Sequence, residues 1–153
     1  MHARVLFLTM VVGLGAATRV DAQGADVRKA SAGVFTDAQV ARGKAVHQAN
    51  CISCHNAVAY RGQAFTQKWS GRSAYEFFLL ISTTMPQNEP GVLAREEYAD
   101  ITAYVLSLNG FPTGTRELTP DDGELRRVRI DAGSAAGGAA ASASAGGRGV
   151  QRR

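Results

Sequence analysis

Residues 50–56 read Asn-Cys-Ile-Ser-Cys-His-Asn, NCISCHN, and contain both cysteines of the 153-residue chain. A thiol, a two-residue gap, a second thiol and an adjacent imidazole admit four chemistries. A disulfide is permitted in an exported protein, but a bridge across two residues closes almost no loop and stabilises little. A thioredoxin-like redox pair belongs in a βαβ setting, whereas the surrounding pattern is helical. A zinc site needs four donors. Past the leader described below the chain offers these two cysteines, His47 and His55, so a cramped site using all four is conceivable, unlike the usual two-pair spacing. The fourth chemistry is covalent c-type haem attachment, for which Cys-X-X-Cys-His is the recognised pattern. One helical turn sets two sulfurs at the separation of vinyl groups on adjacent pyrroles, and the next residue projects its imidazole beneath the iron. On this reading Cys51 and Cys54 carry thioethers and His55 supplies the proximal Fe–N bond.

The chain around the motif reads as a small helical module. Thr36 and Gln39 make a capping box that opens a helix through DAQVARGKAVHQAN, residues 37–50, into the first cysteine. Ser73 and Glu76 make a second box, followed by AYEFFLLIST until Pro86 stops the helix. Tyr98, Ile101, Val105 and Leu108 recur at helical spacing, and Asn109-Gly110 with Pro112 end that helix. No stretch alternates as a strand and no repeat is visible, so the expected class is all-α. The stretch from His55 to Arg72 reads as a loop. After Gly110, FPTGTRELTPDDGELRRVRI (111–130) reads as an extended or partly helical wrap and not as a further core element.

The iron side opposite His55 needs an occupant, and its identity separates electron transfer from small-molecule chemistry. Of the three methionines, Met85 alone lies beyond the leader, in the Pro-stiffened stretch STTMPQNEPG. A gap-filling core role is the ordinary expectation for a lone methionine. A Met-Pro loop before the last regular helix has little of the packing that such a role needs, so Met85 is the expected sixth ligand. His47 lies on the helix leading into the attachment site and cannot swing to the opposite face; it is expected to face solvent or pack between helices. His/Met ligation raises the reduction potential and leaves no vacant position, which suits outer-sphere electron transfer.

Both ends of the chain are set apart by composition. MHARVLFLTMVVGLGAATRVDAQ has Arg4, an apolar run from Val5 to Ala17 and small residues before Gln23. It reads as a secretory signal peptide (residues 1–22) too short in its apolar part to span a bilayer. The expected location is therefore the periplasm, with no membrane span after cleavage. Residues 132–153, AGSAAGGAAASASAGGRGVQRR, have nothing large to bury and are expected to form a disordered tail. Between lie an N-terminal extension (23–35), the main domain (36–118) and the wrap (119–131). A domain of that size usually carries a disulfide, metal or cofactor as a staple. The formal charge of +4 comes from the ends: from Thr36 to Gly110 six basic residues balance six acidic ones. Nucleic-acid binding, which requires a clustered basic face, is not expected.

Three segments, RGKAVHQANCISCH, TMPQNEPGVL and EEYADITAYVLSLNGFP, together resemble the class I monohaem cytochromes c across about Thr36 to Phe111. The last two are most similar to bacterial monohaem cytochromes found beside, or fused to, quinoprotein alcohol dehydrogenases. The resemblance implies a cytochrome c fold wrapped around one covalent haem c with its iron. It implies that the first and last helices cross closely at Gly43 with Tyr104 nearby; this chain has His47 where the family usually has an aromatic. It also implies that Trp69 and Arg72 lie near the haem propionates, as an indole N–H donor and a charged donor. Many relatives have a proline soon after the haem histidine whose carbonyl accepts the imidazole N–H. This chain has none between His55 and Met85, so another carbonyl must orient the ring.

The expected protein is a one-electron carrier with no acid–base catalytic residues. Its donor would be a dehydrogenase, its acceptor a terminal oxidase or another cytochrome, and its docking face the haem edge near the thioethers and the Met85 loop. Two rivals come from other classes. A haem peroxidase or gas-binding protein with a loosely held Met85 would bind cyanide or CO rapidly. A structural cytochrome subunit of a dehydrogenase complex would co-purify with it at fixed stoichiometry.

Overall fold

The structure, a computed structural model, describes residues 26–132; the expected leader and all but the first residue of the expected tail lie outside the described residues. In chain order the described residues form strand β1 (Arg28–Lys29), helices α1 (Asp37–Asn50), α2 (Gln63–Trp69), α3 (Ala74–Thr84), α4 (Arg95–Leu108) and α5 (Asp122–Arg127), and strand β2 (Val128–Arg129). Single 3-10 turns occupy Ala30–Ala32 and Ala57–Tyr60.

Local chemistry accounts for the ends of the three long helices. The Thr36 hydroxyl accepts the Gln39 backbone N–H at 3.1 Å and starts α1. Ser73 and Glu76 close a reciprocal capping box on α3, with the Glu76 carboxylate accepting the Ser73 N–H at 2.8 Å. Each such cap is worth about 1 kcal/mol. At α4 the first residue before the helix is Ala94, which has no capping side chain. Glu97 reaches back to accept its N–H at 2.9 Å. Helix α4 ends at Asn109, and Gly110 follows at φ 78°.

Helix α4 is the centre of the fold, with every residue from Tyr98 to Leu106 buried. Helix α1 crosses it closely through Gln39, Gly43 and His47, a stripe without a single aliphatic side chain. A Cβ on Gly43 would lie 1.9 Å from the Asp100 carbonyl oxygen, so only glycine admits this approach. Gln39 is buried and satisfied by the Leu118 backbone, donating to its carbonyl and accepting its N–H, both at 2.8 Å. Beside the crossing, Arg42 grips the Asp100 carboxylate with two nitrogens at 2.8 and 3.0 Å and reaches Glu117 at 3.0 Å.

Three expectations are corrected. The stretch from His55 to Arg72 is not all loop: it contains α2, which starts after Gly62 and buries Phe65 and Trp69 one turn apart. The segment after Gly110 is not a mere wrap, because Leu118, Leu125, Val128 and Ile130 join the core. Full burial of such side chains contributes about 1.5–3 kcal/mol apiece, more than an accessory wrap would. The segment before Thr36 likewise belongs to the folded body: Ala30, Val34 and Phe35 are buried, and β1 pairs in parallel with β2. That pairing was not visible as alternation because each strand has only two residues. The class nonetheless remains all-α.

The C-terminal segment also braces the turn after α2. Ile130 donates to the Arg72 carbonyl at 2.8 Å and accepts from the Gly71 N–H at 2.7 Å. Helix α5 covers α3, with the Arg126 guanidinium 3.5 Å from the centre of the Tyr75 ring.

Candidate cofactor site

Helix α1 delivers the two cysteines. Its last N–H bonds come from Cys51 and Ile52 to the His47 carbonyl, at 2.9 and 3.2 Å. A further turn follows, in which the Cys54 and His55 N–H groups donate to the Cys51 carbonyl at 3.1 and 2.9 Å. The local backbone thus places Cys51, Cys54 and His55 on one compact turn. Both thiols are free, Cys54 exposed and Cys51 half-buried. Burial, followed by the neighbouring Cys54, pushes the Cys51 thiol up from its ordinary value. A redox-active pair requires the reverse, a thiol lowered toward the thiolate. Among the described residues no three His, Cys, Asp or Glu side chains come together as metal donors.

The loop after His55 is tied to the end of α4. Asn109 donates to the Tyr60 carbonyl at 2.7 Å, and its side-chain oxygen accepts the Gly62 N–H at 3.0 Å. Tyr60 then lies between two histidines, its ring centre 5.7 Å from His55 and 5.6 Å from His47. Burial, and after it the two cysteines, push the Tyr60 hydroxyl up to about 12. His47 is packed in the helix crossing and does not face solvent: it is 2% exposed, with Tyr104 5.4 Å away on its other flank. Its Nε2 is buried without a hydrogen-bond partner.

Met85 follows α3 immediately. Its N–H donates to the Ile81 carbonyl at 3.0 Å, and its own carbonyl accepts the Tyr98 hydroxyl at 2.6 Å. The Met85–Pro86 peptide is cis. Trp69, at the end of α2, is buried edge-on against Phe77 with ring centres 5.0 Å apart.

These elements enclose a cavity of about 1160 Å³, lined by Cys51, Cys54, His55, Met85 and Trp69, with Phe77, Ile81 and Leu93 among its apolar walls. Protein interiors pack as densely as organic crystals, and pockets for drug-sized ligands occupy about 300–1,000 Å³. A space this large in so short a chain is therefore a compartment for a big, mainly apolar group. Free thiols, an imidazole and a thioether on its wall fit a haem.

Five of the six site residues expected from the sequence line this wall: Cys51, Cys54, His55, Trp69 and Met85. The sixth, Arg72, does not line it. Arg72 sits on the turn after α2, with its guanidinium 5.5 Å from the Trp69 ring centre and 3.7 Å from the Glu76 carboxylate. The direction of a side chain on an irregular turn is not encoded in local spacing. Lys68, Tyr60 and Tyr98 line the cavity and were not singled out as site residues. For Tyr98 a signal existed: a tyrosine on the buried stripe of a helix needs a partner for its hydroxyl.

A helical fold closed around such a compartment, with a Cys-X-X-Cys-His turn in its wall, defines a cytochrome c domain carrying covalently bound haem c and its iron. Residues 38–105, from the first turn of α1 to near the end of α4, match the family described as cytochrome c oxidase, cbb3-type, subunit III. No curated protein and no solved structure matches the chain. The match covers less than half of the chain and supports a c-type cytochrome domain, a class whose work is electron transfer with redox partner proteins.

Proposed function

We propose that this protein is an exported, periplasmic one-electron carrier with a His/Met-ligated haem. One observation carries the reading: the Cys51–His55 turn and Met85, from different elements, line the same large cavity. Cys51 and Cys54 would hold the group through thioethers, and His55 and Met85 would be the ligands of its iron. When bound, haem supplies an iron that cycles between ferric and ferrous states. The chain's own part would be to supply the imidazole and thioether donors, exclude water and wall the group in apolar side chains. Trp69 would offer its indole N–H, and Arg72 a charged donor, to the propionates of the group.

The proposed docking face is the rim next to the cysteines, where Ile52 and Val58 stand 57% and 71% exposed. Electron-transfer encounters are typically small and short-lived, and two apolar residues at a cofactor edge suit one. The donor is a dehydrogenase, of the quinoprotein kind by the sequence resemblance, and the acceptor a terminal oxidase or another cytochrome. The family matched by residues 38–105 is itself described as an oxidase subunit, which favours an oxidase as acceptor.

The test is a redox titration of the purified protein with optical spectra, followed by denaturation. The expected results are haem absorbance that survives denaturation, one one-electron wave and the weak red band of a Met–ferric bond. A colourless protein sinks the carrier, and a coloured one without the red band sinks the ligand assignment.

A further inference from the structure

We propose that Tyr98 is a positioning residue for Met85, its hydroxyl holding the methionine in ligating posture. This rests on the reading of Met85 as an iron ligand. Tyr98 is 2% exposed, on the first turn of the most buried helix, and donates to the Met85 carbonyl at 2.6 Å. Its ring is fixed in turn, edge-on to Phe78 with centres 6.3 Å apart.

The rest of the loop explains why this bond matters. The Pro86 carbonyl accepts the Glu89 N–H at 2.9 Å, the Glu89 carbonyl accepts the Val92 N–H at 3.3 Å, and the Gly91 N–H donates to the Met85 carbonyl at a long 3.5 Å. All three stay within the loop and do not secure it to the core. Pro86 brings no N–H of its own. Met85 is therefore held from both sides of its backbone: by Ile81 of α3 through its N–H, and by Tyr98 of α4 through its carbonyl. With both anchors the thioether is aimed from a fixed Cα. Without the hydroxyl, the carbonyl keeps only the long Gly91 bond inside its own loop, and the loop can lift the sulfur away, opening the site to outside ligands.

The experiment titrates the ferric holoprotein with imidazole and follows the red Met–ferric band and the melting temperature in four proteins: the parent, Tyr98→Phe, Phe78→Leu and Met85→Ala. Tyr98→Phe keeps the ring and removes one buried hydrogen bond, so imidazole affinity is expected to rise about tenfold, with weakening of the red band. Phe78→Leu disturbs the same packing without touching the hydrogen bond, and is expected to melt earlier with imidazole affinity within about twofold of the parent. Tyr98→Phe with parental imidazole affinity overturns the proposal, whatever its melting temperature. Equal gains in Tyr98→Phe and Phe78→Leu also overturn it, since packing alone would then explain the effect. A parent that binds imidazole as tightly as Met85→Ala overturns the ligand reading itself, and the positioning role with it.

Discussion

Gly43 and the Asp100 carbonyl meet so closely that a β-carbon on the glycine would overlap the oxygen at 1.9 Å. The same β-carbon would sit 2.9 Å from the Tyr104 Cβ. Neither neighbour is a flexible side-chain end, so neither can retreat without moving α4. Gly43→Ala is expected to destabilise the holoprotein by about 3 kcal/mol, against a helix-propensity gain of roughly 1 kcal/mol. Urea denaturation followed by circular dichroism measures it, and an unchanged or higher midpoint would contradict the crossing.

His47 fills the crossing beside that glycine with a ring whose Nε2 has no partner. An unpaired buried polar group is a cost that an apolar group of the same shape does not incur. His47→Phe keeps an aromatic ring between Tyr60 and Tyr104 and is expected to gain about 1–2 kcal/mol of stability. A lower melting temperature for this variant would show that the imidazole nitrogen is satisfied in solution.

Met85→Ala is expected to leave haem covalently attached, lower the reduction potential and abolish the red ferric band. Losing a thioether that favours ferrous iron shifts the balance toward the ferric state. Potentiometry of the parent and variant decides it; identical potentials and spectra remove Met85 from the iron.

The α3 cap predicts a response to acid. The Ser73 backbone N–H, helped by the Ser73 hydroxyl, holds the Glu76 carboxyl below its ordinary 4.5, against a smaller opposing effect of burial. Between its folded value and 4.5 the unfolded chain takes up a proton that the folded chain refuses, so stability falls as pH falls. This contribution is complete above pH 4.5 and gone below the folded value. Because the side chain is 44% exposed, solvent screening keeps the effect small. Thermal melts of Glu76→Gln from neutral to acid pH should slope less in that window than the parent's. Parallel curves refute the linkage.

The sequence made α1, α3 and α4 legible because their signals are local: a hydroxyl three residues before an N–H, a proline, an Asn-Gly stop. It hid α2, a single short helix opened by a glycine, whose Phe65 and Trp69 acquire meaning only against Phe77. It hid the C-terminal contribution to the core as well, since Leu118, Leu125, Val128 and Ile130 sit on different elements and share no period. Within the site, the attachment turn could be read directly because all its residues fall within five positions. The Tyr98 hydroxyl bond depends on a contact between elements, and only the folded chain displays it.

The two short strands join the beginning of the folded body to its end, Arg28 beside Val128 and Lys29 beside Arg129. Chain therefore enters and leaves through a single doorway, and no residue of either strand borders the compartment. A tether attached at either end would moor the domain at one point and leave the residues that border the compartment unencumbered.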